Sequence, residues 1–236
     1  MSIAENIAHV RDRIAQAAGR VRRDPGSVTL MAVSKTVEPE RIRQAMQAGV
    51  RVFGENRVQE FAEKFPDAGK RQGAEWHLIG HLQTNKGGKA VEIFDAIDSV
   101  DSLRLAEKLD RAAAAAGRTL PVLIEINVGS EESKSGVPLD SPQLEELLRG
   151  VEKLEHLQVG GLMAVPPLTS DPEGARPYFR VLRDLRDTIA VRKLPRVLMD
   201  TLSIGMSHDF EVAIEEGSTC VRVGTAIFGE RPKPQP

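Results

Sequence analysis

The sequence predicts an α/β fold, a closed (β/α)₈ TIM barrel with one extra helix at its N-terminus. Eight short apolar segments alternate with amphipathic segments along the 236 residues, and no change of composition divides the chain. Several of these segments are continuously apolar, as expected for parallel strands covered on both faces. A single barrel domain commonly has this length. An open doubly wound sheet is the alternative, because it shows the same alternation of strands and helices.

The predicted elements begin with a helix. Ile3, Ile7, Val10 and Ile14 recur at helical spacing, and Val21 continues the series before the first strand. The predicted strands follow at residues 28–34, 50–54, 76–80, 96–100, 122–128, 159–165, 201–205 and 220–224.

Helix-start residues separate the strands. They are either prolines or capping residues, and they stand at Pro39, Ser141, Asp171 and Ser207. Gly49 and Gly217 are expected to end the first and the last of these helices. Ser207 is expected to cap the last one, with Asp209 in its first turn.

Composition and charge narrow the classes of function. The formal net charge of −2 argues against a nucleic-acid-binding protein that relies on bulk positive charge. Cys220 is the sole cysteine, which excludes an intrachain disulfide and a cysteine-rich zinc site and favours the reducing cytoplasm. Because neither a secretory signal nor an apolar run of about 18 residues is present, we expect no membrane association.

The domain organisation follows from the same pattern. Residues 1–230 are expected to form a single domain. Residues 231–236 contain three prolines and are expected to form a disordered tail.

Lys35 directly follows the first predicted strand. In a barrel of this type the functional face lies at the carboxyl ends of the strands. A lysine held there is poorly hydrated, which favours the neutral amine that condenses with carbonyl compounds. The alternative is a lysine whose ammonium group simply extends into solvent at a strand end.

The last two strands end in glycine-containing turns. Ser203, Gly205, Met206 and Ser207 lie at the end of the seventh strand, and Gly224-Thr225 ends the eighth. A glycine lets the backbone approach a ligand, and the following N–H groups with a threonine hydroxyl can bind phosphate. One such turn alone is usually only a turn, but two on adjacent strands indicate a phosphate site.

Arg222 precedes the last of these turns by two residues. Side chains alternate along a strand, so Arg222 points either into the barrel mouth or outward to a helix carboxylate, and position alone leaves both open.

Other polar segments follow the second, third and fifth strands, and each could be only a hydrogen-bonded rim. His77 and His81 are four residues apart, but the strand context and Gly80 argue against a metal site.

Seven motifs together resemble the YggS/PROSC family of pyridoxal 5′-phosphate (PLP) homeostasis proteins, which is similar in fold to the barrel domain of alanine racemase. They occur in family order from about residue 28 to residue 231. They read AVSKT, FGENRVQE, WHLIGHLQTNK, EINVGSEESKSG, GLMAVPP, LSIGMSHDFEVAI and VRVGTAIFGER.

The resemblance implies PLP as the cofactor, bound as a Schiff base to Lys35. It also implies that Arg222 faces the pyridine nitrogen, where it would keep that nitrogen unprotonated. Asn56 would lie near the ring, Met206 near the phosphate loop and Lys134 near the rim of the site. The residues implied around the phosphate are Ser203, Ser207, Gly224 and Thr225.

The resemblance further implies PLP storage, delivery and control of free PLP rather than an enzyme with turnover. Racemases of this fold use a second base, a tyrosine from an additional domain that we expect to be absent here. Tyr178 is the only tyrosine and is better explained as core. PLP-dependent apoenzymes are possible partners, and we expect a monomer. The alternatives are a PLP-dependent amino-acid racemase, a lysine-dependent aldolase and a pure interaction protein.

Overall fold

Eight parallel strands close into a barrel in the computed structural model, which describes residues 1–66, 73–129 and 135–230. The barrel strands are β1 (Thr29–Val33), β2 (Val52–Glu55), β3 (Glu75–Leu78), β4 (Ala96–Val100), β5 (Leu120–Asn127), β7 (Leu157–Met163), β8 (Val197–Met206) and β9 (Cys220–Val223). A two-residue strand, β6 (Val137–Pro138), pairs only with the end of β5.

Closure is shown by the pairing of the strands. β1 pairs with both β2 and β9, and β4 pairs with both β3 and β5, so every barrel strand has two neighbours. The predicted barrel is therefore confirmed, and the open sheet is wrong. All eight predicted strands are present, with ends that differ by a few residues.

Nine α-helices lie in the described part of the chain. They are α1 (Ile3–Arg20), α2 (Pro39–Gln47), α3 (Val58–Lys64), α4 (Gly87–Ile93), α5 (Leu103–Ala115), α6 (Pro142–Val151), α7 (Arg176–Ala190), α8 (Phe210–Glu215) and α9 (Thr225–Phe228). The helix α1 is the predicted N-terminal helix, and a capping box between Ser2 and Glu5 fixes its start. Its apolar face packs against α8, α9 and α2. No helix in the described ranges is long and apolar enough to cross a membrane.

The predicted helix ends at Gly49 and Gly217 are confirmed, whereas the predicted N-cap at Ser207 is wrong. Gly49 and Gly217 follow α2 and α8 with left-handed φ values of 85° and 103°. The helix α8 starts three residues after Ser207, and its N-cap residue is Asp209. Asp209 instead accepts a hydrogen bond from the Met206 N–H at 2.7 Å. The Ser207 hydroxyl is used elsewhere, at the turn after β9.

The barrel separates an apolar outer layer from a polar interior. Outside, Phe53 of β2 stacks on Trp76 of β3 with ring centroids 4.9 Å apart, and Phe61 of α3 packs against Trp76. Inside, His77 of β3 contacts Asp98 of β4, and Arg222 of β9 is also buried. Alternation along these strands thus sends Phe53 and Trp76 to the helices, and His77 and Arg222 inward.

Candidate functional site

A cleft of about 420 Å³ opens at the carboxyl ends of the barrel strands. This volume lies in the range of small-molecule sites, roughly 300–1,000 Å³. Seven of the eight predicted site residues line it, and they come from the ends of β1, β2, β8 and β9: Lys35, Asn56, Met206, Ser207, Arg222, Gly224 and Thr225. The remaining one, Ser203, does not line the cleft.

Lys35 lies in the turn that follows β1, and its side chain is partly buried. Ser34, the preceding residue, is fully buried, and its N–H donates to the Gly54 carbonyl at 3.0 Å. Thr36, the following residue, has a left-handed φ of 61°. The lysine therefore projects from a short segment with a defined and unusual backbone shape.

The turn after β9 forms a second wall of the cleft, next to the Lys35 segment, because β9 pairs with β1. The Ser207 hydroxyl accepts hydrogen bonds from the N–H groups of Gly224 at 3.2 Å and Ala226 at 3.3 Å, which ties the end of β8 to this turn. A Cβ at Gly224 would come no closer than 3.4 Å to Val33, which is an ordinary contact. The protein's own packing thus does not demand a glycine here, and the space it leaves belongs to the cleft.

Arg222 points inward, which decides between the two orientations left open by the sequence. Its side chain lines the cleft while the residue is only 3% exposed. Nη1 donates to the Ser203 carbonyl at 2.5 Å and to the Ser203 hydroxyl at 2.9 Å, and Nη2 donates to the Ala164 carbonyl at 2.8 Å. Burial lowers the pKa of Arg222 from its ordinary value.

Ser203 was predicted near the phosphate, and that contact stays a prediction. Ser203 is fully buried beneath the cleft, where its carbonyl and hydroxyl both accept from Arg222. Its position on β8, two residues before Gly205, directs it into the barrel interior instead of to the rim. The structure therefore relates Ser203 to the orientation of Arg222.

Asn56 combines a cleft position with an unsatisfied polar atom. Its Oδ1 is buried, and no described residue donates a hydrogen bond to it. Gly80 packs so closely that a Cβ there would lie 2.3 Å from the Asn56 carbonyl oxygen, which fixes this backbone in place. A buried amide oxygen without a partner needs a donor, and a ligand in the cleft can supply one.

Several residues that line the cleft were not predicted from the sequence. Arg41 of α2 lines the cleft, and its guanidinium also donates to the Phe228 carbonyl at the end of α9. Ile79, Val165 and His208 line it as well. Only proximity to a strand end could have indicated Val165 and His208, and nothing in the sequence distinguishes Arg41 from a surface helix residue.

Glu125 of β5 lies in the barrel interior and was assigned no role from the sequence. Its Oε2 is buried and has no partner among the described residues. Burial, reinforced by the negative charge of Asp101, raises the pKa of Glu125 to about 7, although Arg222 opposes the shift. Lys134, predicted near the rim, lies outside the described residues.

The two histidines do not share a site. Burial disfavours a charged His77, but Asp98 at 2.9 Å and Glu75 at 3.2 Å outweigh it and raise the pKa of His77 to about 10. His81 instead pairs with Asp101 at 3.2 Å. Within residues 1–66, 73–129 and 135–230, no group of three His, Cys, Asp or Glu could hold a metal ion.

Comparison with known proteins identifies the family. Residues 5–232 match the family model "Alanine racemase, N-terminal domain". The chain is 46% identical over 231 residues to the pyridoxal phosphate homeostasis protein of Aquifex aeolicus (strain VF5), an alignment covering 98% of this chain and 99% of the relative. This chain belongs to the pyridoxal phosphate homeostasis protein family. The resemblance inferred from the motifs is confirmed.

Other relatives agree with this assignment. The pyridoxal phosphate homeostasis protein of Escherichia coli (strain K12) is 46% identical, over 97% of each chain. The structure of PipY from Synechococcus elongatus PCC7942 with PLP bound superposes with a TM-score of 0.83 at 38% identity, over 97% of this chain and all of PipY. An alanine racemase from Clostridium difficile 630 is 15% identical with a TM-score of 0.69, covering 98% of this chain and 58% of that one, which shows a shared fold.

Proposed function

We propose that this protein binds PLP in the cleft through a Schiff base to Lys35 and acts in PLP homeostasis by storing, delivering and controlling free PLP. The observation that carries the proposal is the meeting of Lys35, Arg222 and the Ser207-bonded turn in one cleft. The names of the curated relatives and the PLP bound to PipY support it. Residues 1–230 would form the single PLP-binding domain.

The residues of the cleft fit PLP from two sides. The Lys35 amine would bind the aldehyde carbon, and Ser207, Gly224 and Thr225 would hold the phosphate, with Met206 beside them. The unsatisfied Asn56 Oδ1 and the cradle left by Gly224 support this arrangement, because each leaves a place for a ligand.

Arg222 would face the pyridine nitrogen. An arginine remains protonated in proteins and can only donate, so it favours an unprotonated ring nitrogen. Bound PLP supplies an electron-withdrawing ring that stabilises carbanions, and protonation of that nitrogen is what strengthens this property. The three acceptors at Ser203 and Ala164 keep the guanidinium in its inward position.

We propose a carrier in place of an enzyme. The single tyrosine, Tyr178, lies in α7 and packs against the core, so it does not supply the second base of a racemase. A PLP-dependent amino-acid racemase remains the second candidate, because the imidazole of His208 lines the cleft and could serve as a base. Deuterium washout from the amino-acid Cα distinguishes them: sustained washout that is lost in His208→Ala supports the racemase.

Absorbance and chemical trapping test the proposal. The purified protein mixed with PLP is expected to show the visible absorbance of a conjugated Schiff base, and Lys35→Ala is expected to lack it. Lys35→Ala should still bind PLP weakly through the phosphate. Lys153→Ala, in the helix-end turn after α6, is the control and should keep the absorbance. Full absorbance in Lys35→Ala would remove that residue from the proposal.

Delivery is the finer part of the proposal. A cytoplasmic monomer with an open cleft could pass PLP to PLP-dependent apoenzymes. An apoenzyme placed across a dialysis membrane from the loaded protein regains activity only through free PLP, whereas one in the same compartment can also receive it by contact. Faster activation in the shared compartment supports direct delivery, and equal rates oppose it.

A further inference from the structure

A small group of charged and polar side chains lies behind the segment that carries Lys35. We define the Lys64 cluster as Ser34, Glu55, Glu60 and Lys64. Glu55 is fully buried at the end of β2, and the Lys64 side chain at the end of α3 is only 11% exposed. None of the four lines the cleft.

We propose that Lys64 and Glu60 are positioning residues that hold the backbone on both sides of Lys35 and so aim its amine into the cleft. The inference rests on the proposed function, since it concerns the residue that would bind PLP. It concerns residues that the cleft and the motifs did not assign to the cofactor.

The N-terminal side of Lys35 is held at Ser34. The Ser34 carbonyl accepts a hydrogen bond from Lys64 Nζ at 2.8 Å, and the Ser34 hydroxyl donates to Glu55 Oε1 at 2.7 Å. Lys64 Nζ also lies 3.1 Å from Glu55 Oε1. Ser34, Glu55 and Lys64 therefore form a closed ring of contacts in which each member touches the other two.

The C-terminal side of Lys35 is held at Thr36. Its N–H donates to Glu60 Oε1 at 2.5 Å, and the same oxygen lies 2.7 Å from Lys64 Nζ. Thr36 adopts a φ of 61°, which is costly for a β-branched residue and persists only where the surroundings hold it. Lys64 is thus connected to both residues that flank Lys35.

The pKa shifts of the two carboxyl groups agree with these contacts. Burial alone would raise the pKa of Glu60, but hydrogen bonds from Lys64 and from the Thr36 backbone outweigh it and hold the pKa below its usual range. Burial raises the pKa of Glu55, and the ammonium of Lys64 opposes that rise. The Lys64 charge therefore stabilises two carboxylates at once.

Well-packed apolar side chains would be a simpler way to stabilise the region around Glu55 and Lys64. A buried ion pair contributes little net stability over well-packed apolar residues, so stability alone does not account for this pair. Here the charged groups form hydrogen bonds with the backbone at Ser34 and Thr36. The two contacts lie on either side of Lys35, the residue whose orientation matters for covalent binding.

Glu60 gives the sharpest test, because its side chain is 25% exposed and its truncation should not prevent folding. Glu60→Ala removes the acceptor for the Thr36 N–H, whereas Glu60→Gln keeps an acceptor oxygen at that place. Glu63→Ala, on the exposed face of the same helix, is the matched control. Two quantities are measured: hydrogen exchange of the Thr36 amide, and the rate at which PLP is trapped on Lys35 by borohydride.

In Glu60→Ala, the Thr36 amide is expected to exchange about tenfold faster because one hydrogen bond that protects it is lost. Trapping on Lys35 is expected to slow by roughly tenfold through misaligned attack. Glu60→Gln should restore most of the trapping rate, and Glu63→Ala should match the wild type in both measurements.

Three outcomes overturn the inference. If Glu60→Ala traps PLP as fast as Glu63→Ala, the cluster does not position Lys35, even when Thr36 exchange rises. If Glu60→Gln is as slow as Glu60→Ala, the hydrogen bond to Thr36 is not the cause. If the wild type traps no PLP on Lys35, the proposed function fails and the inference fails with it, whereas the first two outcomes leave the proposed function standing.

Discussion

The two walls of the cleft are built from different interactions. On the β1 and β2 side, the Lys35 segment is held by the charged Lys64 cluster, in which one ammonium contacts two carboxylates. On the β8 and β9 side, Ser207 and Arg222 make their hydrogen bonds to or from neutral groups, namely backbone N–H groups, carbonyls and the Ser203 hydroxyl. The residues that would bind the aldehyde and those that would bind the phosphate are therefore held in place by different kinds of contact.

The difference has a physical reason. To form a covalent bond with an aldehyde, the amine nitrogen must approach the carbonyl carbon from a defined direction. Short ion pairs and hydrogen bonds hold the backbone that carries this amine. A phosphate brings its own negative charge, so its wall needs hydrogen-bond donors. We call the β8 and β9 side the neutral wall because the hydrogen-bond partners of Ser207 and Arg222 there are uncharged.

Removing the cation of the Lys64 cluster should have the greatest effect on stability. Lys64→Met should lower the free energy of unfolding by about 3–5 kcal/mol, because it leaves the buried carboxylate of Glu55 without its cation. The double variant Glu55→Gln/Lys64→Met should recover most of that loss. Denaturant unfolding measures both, and Lys89→Met, from an exposed pair with Glu92, is the control. A loss as small as that of Lys89→Met would contradict the buried pair.

A second prediction concerns the buried carboxyl of Glu125 and the pH dependence of stability. The pKa of Glu125 is raised to about 7 in the folded protein, above the 4.5 of a free side chain. Between these values the folded state keeps a proton that the unfolded chain has lost, so this group's contribution to stability falls as pH rises from 4.5 to 7. Glu125→Gln should therefore be more stable than the wild type by about 1–3 kcal/mol at pH 8 and equal to it near pH 4.

Thermal or denaturant unfolding across pH 4–8 checks this prediction. Glu92→Gln, an exposed carboxylate on α4, should show no such pH-dependent difference. A Glu125→Gln variant that loses stability at pH 8 would mean that the ionised carboxylate is well solvated or paired.

The third prediction concerns the neutral wall and the affinity for PLP. Thr225→Val should weaken PLP binding by about 1–3 kcal/mol, the cost of removing one hydrogen bond to a charged phosphate. Thr225 is exposed at the start of α9, so stability should change little. Titration by absorbance or fluorescence measures the affinity, with the exposed Thr188→Val of α7 as the control. An unchanged affinity would remove Thr225 from the phosphate site.

The smallest expected effect concerns Ser203. Ser203→Ala removes one of three acceptors of Arg222 and should cost about 1 kcal/mol of stability. It should also shift the absorbance of bound PLP, since Arg222 would face the ring nitrogen less firmly. Ser218→Ala, another buried serine without a contact to Arg222, should lose stability with no spectral shift. Identical spectra for both variants would argue against this role of Ser203.

The sequence predicted the parts of this structure that depend on local pattern. Lys35 and Gly224 stand at the ends of apolar strands, and the barrel rule places such residues on one face. The direction in which side chains point from neighbouring strands could not be predicted from the sequence. The inward direction of Arg222 and the burial of Ser203 depend on the barrel's closure, which only the three-dimensional pairing determines.

The Lys64 cluster shows a second limit. Glu60 and Lys64 have the four-residue spacing of an ordinary exposed helix pair, and nothing in the sequence says that α3 turns them toward the Lys35 segment. Ser207 shows the same limit, since its position suits a helix cap but its hydroxyl contacts the turn after β9. Long-range contacts, which no local pattern encodes, assign both roles.

A crystal structure of the protein grown with PLP is the decisive measurement for the Schiff base at Lys35. We expect continuous electron density between Lys35 Nζ and the cofactor, with the phosphate against residues 224–226 and the ring nitrogen facing Arg222. PLP bound at another lysine, or a saturated crystal in which Lys35 is unmodified and the turn after β9 carries no phosphate, would contradict it.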